Sequence, residues 1–141
     1  MLDKTKTPAE SGKDFKKQKL IEATIRTISE YGISKTTVAK VTRTARMSAG
    51  IVNFYFDSKE KLLLGTLQSM SDEFRIQIQH AIASSNEPLQ KIRAIVDCYF
   101  SLPLCDVEKI AVWWAFCSES GARKEYMKIC GDQDAWFHQM L

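Results

Sequence analysis

The chain has 141 residues, 45% of them hydrophobic and 26% charged, which excludes a disordered tail and fits one domain or two small ones sharing a core. The formal charge of +3 is unevenly spread: residues 1–61 hold 13 Lys or Arg against 7 Asp or Glu, a net of +6, and residues 62–141 hold 7 against 10, a net of −3. A basic half suits nucleic acid, and an acidic, aromatic-rich half suits a cation.

The polar start Met1-Leu2-Asp3-Lys4 has no apolar signal core, and no apolar run approaches membrane-spanning length. A cytoplasmic protein with no membrane partner is expected. Cys98, Cys105, Cys117 and Cys130 form no Cys-x-x-Cys pair, and His80 and His138 stand apart from each other and from any nucleophile. The expectation is therefore buried reduced thiols, no metal site, no cofactor, no catalytic residue and no enzyme activity.

Residues 1–13, with Pro8, Ser11 and Gly12 among charges, read as a mobile basic arm. From about Asp14, Leu20, Ile21, Ile25 and Ile28 recur at helical spacing, and Gly32 supplies a left-handed stop. Between Glu30 and Asp57 there is no acidic residue. Within that window Thr36 is the expected N-cap of a second helix with Val38, Val41 and Ala45 inward, and Arg46-Met47 makes a turn. Ser48 is the expected cap of a third helix, with Val52 and Phe56 inward and Ala49, Gly50, Asn53 and Phe54 outward. Two short helices carrying only positive charge can press against a phosphate backbone without repulsion.

Ser58 opens a fourth helix through Leu63, Leu67, Met70, Phe74 and Ile78 to about Ser84. At 1.5 Å per residue it would be on the order of 40 Å long, enough to link two regions mechanically. A fifth helix follows Pro88 and closes at Pro103, and Asp106 caps a sixth. The apolar run from Ala111 to Cys117 predicts burial on most sides, with Gly121 as its stop. A seventh begins near Arg123, with an interruption at Gly131-Asp132, and still has a helical pattern at Leu141.

The segment Leu20 to Leu63 resembles the DNA-binding domain of the tetracycline-repressor (TetR) family of transcriptional regulators. The resemblance rests on the helix ending at Gly32, Thr36-Thr37-Val38, the small Ala45, Ser48-x-Gly50, the aromatics up to Phe56, and Ser58-Lys59-Glu60-Lys61-Leu62. Ile21-Glu22-Ala23-Thr24, Ser48-Ala49-Gly50-Ile51-Val52-x-x-Tyr55-Phe56 and Trp114-Ala115-Phe116 look most like its betaine-inhibitor branch, whose type member controls choline-to-glycine-betaine genes. The resemblance implies an all-α fold: an N-terminal three-helix domain with a helix-turn-helix over residues 14–57, and a helical ligand and dimerisation domain over 58–141. It implies a repressor that binds double-stranded palindromic operator DNA as a homodimer and is released by a small-molecule inducer, here of quaternary ammonium type.

On this reading Thr36, Thr37 and Ser48 hold phosphates at helix starts, and Tyr55 and Lys59 grip the backbone. Asn53 reads adenine, assisted by Ala49, Gly50 and Phe54, while Lys35, Lys40, Arg43 and Arg46 supply general attraction. Arg46 stands where the family usually has glycine with positive φ, and Asn53 where tyrosine is common. For the inducer, Trp114 leads Trp113, Phe116, Tyr99 and Phe100 as aromatic faces, with Asp97 or Glu119 balancing a cation; most of these rings are expected instead to pack a core or an interface. Family members continue through two more long helices, so the chain reads as shortened. The alternative is a truncated protein-interaction module or dominant-negative partner of a full-length regulator, marked by an exposed apolar face and weak nonspecific DNA binding.

Overall fold

The computed structural model describes residues 8–140 other than 85, 103, 121 and 122, with side chains from 12 onward except that of 120. Among the described residues there are seven helices and no strand: α1 Pro8–Tyr31, α2 Val38–Ala45, α3 Gly50–Phe56, α4 Lys59–Ile82, α5 Pro88–Tyr99, α6 Val107–Ser120 and α7 Lys124–Met140. The fold is all-α, as expected. Residues 8–13, read from sequence as part of an arm, belong to α1, which begins at Pro8 and not near Asp14; proline suits a first helical position because its missing N–H needs no partner there. Residues 1–7 of that arm lie outside the described residues.

The punctuation follows local chemistry. Gly32 closes α1 at φ 80°, and its N–H donates to the Ile28 carbonyl at 2.8 Å. Ser58 caps α4 by accepting from the Lys61 N–H at 3.1 Å, and Asp106 caps α6 by accepting from the Lys109 N–H at 3.0 Å. Pro88 opens α5. The expected stops at Pro103 and Gly121 lie outside the described residues, as does Leu141. The expected interruption at Gly131-Asp132 does not occur, since α7 runs through both; a single glycine costs about 1 kcal/mol in a helix, which the packing of α7 on α4 and α6 offsets.

Leu20, Ile28, Val41, Ala45, Val52, Phe56, Leu62, Leu63 and Leu67 form one core together with Val112, Phe116 and Tyr126. The helix-turn-helix and the C-terminal helices are therefore welded through α1, α4 and α6. At 1.5 Å per residue the 24 residues of α4 span about 36 Å. Its first half packs under α3, and its middle supplies Met70 and Phe74 to a cavity described below. The expectation that α6 is buried on most sides is corrected: Val112 and Phe116 are buried, but Trp114 is 68% exposed and Val107 and Ile110 also face out. No described helix is long and apolar enough to cross a membrane.

Candidate nucleic-acid interface and regulatory cavity

The turn before α2 is stitched from inside. Thr36 is only 1% exposed, and its hydroxyl donates to the Gly32 carbonyl at 2.9 Å. The expected roles of Thr36 as helix cap and phosphate contact are thus corrected, because its hydrogen bond is spent on the turn. The adjacent Thr37, extended at φ −123° and ψ 155°, is the cap, accepting from the Lys40 N–H at 3.3 Å. Lys40 reaches back to the Lys35 carbonyl at 2.9 Å and lies 4.3 Å from the centre of the Tyr31 ring, so its ammonium braces this corner. Lys35, Thr37 and Arg43 are exposed beside it.

Arg46 then turns the chain in the left-handed region at φ 55° and ψ 48°. Its N–H donates to the Arg43 carbonyl at 3.1 Å and the Met47 N–H to the Thr42 carbonyl at 2.9 Å, the paired bonds of a Schellman ending. The chain thus adopts the glycine-favouring geometry with an arginine, whose side chain is exposed.

The expectation that the Ser48 hydroxyl caps α3 is corrected: the cap position is Ala49, already helical at φ −59°, with no side-chain cap bond. The Ser48 carbonyl accepts from the Ile51 N–H at 3.1 Å, so the turn is closed by backbone. Ser48, Ala49, Gly50, Asn53 and Phe54 form one exposed face, while Val52 and Phe56 are buried and Tyr55 and Lys59 are half-buried. A Cβ added at Gly50 would meet nothing within 4 Å, so nothing inside the chain demands glycine there. By contrast a Cβ at Gly65 would come within 2.9 Å of the Phe56 ring: Gly65 lets α3 lie close on α4.

Sequence reading missed the contribution of α1 to this face. Lys13 Nζ lies 5.7 Å from the centre of the Phe54 ring, and Gly12, Lys13, Lys16, Ile51, Phe54 and Tyr55 line a shallow groove between α1 and α3. The cluster Lys13, Lys16, Lys17 and Lys19 was the available signal; assigning Lys13 to an arm hid its helical register. Asp57, the first acid after the basic window, pairs with Lys61 at 2.7 Å. It also has φ 61° and sits in a tight turn in which the Ser58 N–H donates to the Phe56 carbonyl at 2.7 Å.

In the C-terminal half, α4, α5, α6 and α7 enclose a cavity of about 350 Å³, within the range of small-molecule sites. Of the expected ligand residues, Trp113, Trp114 and Tyr99 line it. Four expectations are corrected. Phe116 is fully buried in the core, edge-on to Tyr126 at 5.1 Å; Phe100 is 79% exposed on the outer surface; Glu119 pairs with Arg123 at 3.5 Å; and Asp97 is exposed and lies away from the lining. On α6 Val112 and Phe116, four positions apart, share the face turned to the core, and Trp113, about 100° around the helix from Val112, faces the cavity.

The lining also holds Phe74 and Phe137, which carry the aromatic wall, and Glu73, Lys109 and Asp134. Phe74 and Tyr99 meet edge-to-face at 5.3 Å. Lys109 binds both Glu73 oxygens, at 2.7 and 2.8 Å, so that among the described residues Asp134 is the lining carboxylate not engaged in a salt bridge. At one wall Gln133, 6% exposed, accepts from Ser71 at 2.7 Å and from Arg75 Nε at 3.0 Å through Oε1. Phe74, Gln133, Asp134 and Phe137 were not singled out from sequence, because their convergence depends on how α4 and α7 cross.

Residues 20–66 match the family described as bacterial regulatory proteins of the tetR family. The chain is 35% identical over 133 residues to the HTH-type transcriptional regulator BetI of Burkholderia thailandensis, covering 85% of this chain and 68% of that protein. It is 31% identical over 115 residues to the regulator of the same name from Agrobacterium fabrum, covering 82% of this chain and 56% of that one. In fold it is similar to a TetR family transcription regulator from Marinobacter aquaeolei VT8, with a TM-score of 0.78 at 23% identity over 89% of this chain and 64% of the other. These relatives are regulators, not enzymes. With its helix-turn-helix in the matched segment and 35% identity over the aligned residues to a relative of which it covers 68%, the chain belongs to the tetR family of bacterial regulatory proteins.

Proposed function

We propose that this chain is a ligand-responsive transcriptional repressor that lays α3 in the major groove of a palindromic operator as a homodimer. The observation that carries the reading is the exposed face of Ser48, Ala49, Gly50, Asn53 and Phe54, with Lys13, Lys35, Arg43 and Arg46 exposed on the same domain. Asn53 offers an amide for bidentate pairing with adenine, and Phe54 and Ala49 offer apolar contact to thymine methyls. Thr37, Ser48, Tyr55 and Lys59 position the helix on phosphates, joined by Lys13 and Lys16 from α1. The inducer enters the cavity between α4 and α7, where Trp113, Trp114 and Tyr99 present ring faces and Asp134 a negative charge, a chemistry suited to a quaternary ammonium compound such as choline. Since α4 both floors that cavity and carries α3, displacement of its Met70–Phe74 stretch re-aims the recognition helix.

The test is titration of a labelled palindromic site from the chain's own upstream region, against scrambled DNA, at several salt concentrations and with choline. Sequence-selective binding weakened by choline is the expected result; salt-sensitive binding blind to sequence overturns it. One observation favours the second reading, a protein-interaction module pairing with a full-length regulator: Leu89, Ile92 and Val96 on α5, Phe100 just past its end and Val107 on α6 expose apolar side chains. Exposed apolar surface marks an interface where it is contiguous.

A further inference from the structure

Cys117 on α6 and Cys130 on α7 face each other with their sulfurs 3.9 Å apart. The two helices pack against each other. One turn before Cys117 stands Trp113 and one turn after Cys130 stands Asp134, both lining the cavity; beside the cysteines on the other side, Phe116 and Tyr126 meet in the core. The thiol pair is therefore a rung of the α6–α7 seam between cavity and core. Both thiols are only half-buried, so a small oxidant has access.

We infer that Cys117 and Cys130 are a reversible oxidation site, a dithiol that hydroperoxides convert to a disulfide bridging α6 and α7. An S–S bond is about 2.05 Å, so closure brings the sulfurs together by roughly 1.9 Å, within reach of side-chain rotation and a small shift of the seam. Cys117 is the attacking thiol. Burial raises both thiols above the ordinary value of 9.0, Cys130 to about 12, but the Cys130 S–H hydrogen bond favours the Cys117 thiolate. Asp134, one turn along α7, opposes ionisation of both. The Cys117 thiolate attacks the peroxide oxygen, the O–O bond breaks, and with one proton taken up an alcohol leaves and Cys117 becomes a sulfenic acid. The Cys130 sulfur then displaces hydroxide from that sulfenic sulfur, releasing water as its thiol proton is transferred. In sum two thiols and one hydroperoxide give one disulfide, one alcohol and one water. The expectation of buried thiols, drawn from the apolar pattern and the lack of a Cys-x-x-Cys pair, is corrected, since both are half-buried; the pairing comes from the packing of two helices.

The experiment treats the fully reduced chain carrying Cys98→Ser and Cys105→Ser with cumene hydroperoxide, then maps disulfides by mass spectrometry and follows tryptophan emission. Expected are an intramolecular Cys117–Cys130 link, a mass fall of about 2 Da, and a change in emission that dithiothreitol reverses. The rate rises by about tenfold per pH unit below the Cys117 pKa, because the thiolate is the nucleophile. Cys117→Ser and Cys130→Ser each abolish the link and the emission change. Thiols that remain alkylatable after unfolding, a link only between two chains, or oxidation of one cysteine to sulfinic acid without the other overturns the inference. The outcome is independent of DNA binding, so it stands or falls apart from the proposed function.

Discussion

Replacing Arg46 by glycine separates stability from DNA binding. Arg46 holds φ 55° and ψ 48°, a conformation that costs an L-residue about 1–2 kcal/mol and glycine nothing. Glycine in turn gives the unfolded chain more freedom, which takes back about 0.4–1 kcal/mol. The net expectation is a stabilisation of about 0.5–1 kcal/mol, or a rise in thermal midpoint of about 2–3 °C for a chain of this size. The Arg46 side chain is exposed and sits between α2 and α3, so its loss removes no core packing. It does remove one phosphate contact under the proposed docking, which lowers the slope of log affinity against log salt by about 0.9. Thermal unfolding and a salt series on the operator, with Arg46→Lys as the variant that keeps charge and strain, measure the two effects separately. A midpoint that stays level or falls refutes the strain argument, and an unchanged salt slope refutes the phosphate contact.

Gly50→Ala is expected to leave stability level or raise it by up to about 1 kcal/mol, since its Cβ meets nothing; operator affinity falls by about tenfold, or about 1.4 kcal/mol, if α3 approaches the bases closely. Gly65→Ala sets a contact of 2.9 Å with the Phe56 ring, costing about 1–3 kcal/mol against about 1 kcal/mol gained in helix propensity, so urea unfolding should show a net loss and DNA binding should weaken as α3 shifts. A gain of a full kcal/mol would mean that Phe56 moves freely. Thr37→Ala removes the α2 cap and lowers stability by about 1 kcal/mol in the same assay, whereas Lys35→Ala beside it does not. Cys130 keeps its proton in the folded chain up to about 12, whereas the unfolded thiol releases it near 9.0. The folded state therefore binds more protons in that window, and stability falls as pH rises from 9.0 towards about 12. Urea midpoints across that range should fall less steeply in Cys130→Ala.

Local signals made most of the fold legible. Gly32, Ser58, Pro88 and Asp106 mark helix ends by backbone chemistry that needs no tertiary partner, and they stand where the sequence reading put them. The same holds for the left-handed turn at Arg46 and the outward set Ala49, Gly50, Asn53 and Phe54, because one short amphipathic helix has one apolar face to hide. Adjacent hydroxyls were harder: Thr36 and Thr37 both suit a cap, and only the closure of the Gly32 turn on Thr36 assigns the role.

Sequence by itself determined the seven-helix order, the basic helix-turn-helix and the family, since each depends on residues close together in the chain. Tertiary structure alone decided which aromatics face the cavity, that Phe116 is buried in the core while Trp113 packs between core and cavity and Trp114 is exposed, that Lys13 reaches Phe54, and that Cys117 meets Cys130. These depend on the rotation of each helix about its own axis and on where helices cross. That rotation is set by packing among residues far apart in the chain, such as Ser71 and Gln133, 62 positions apart, which no local pattern encodes.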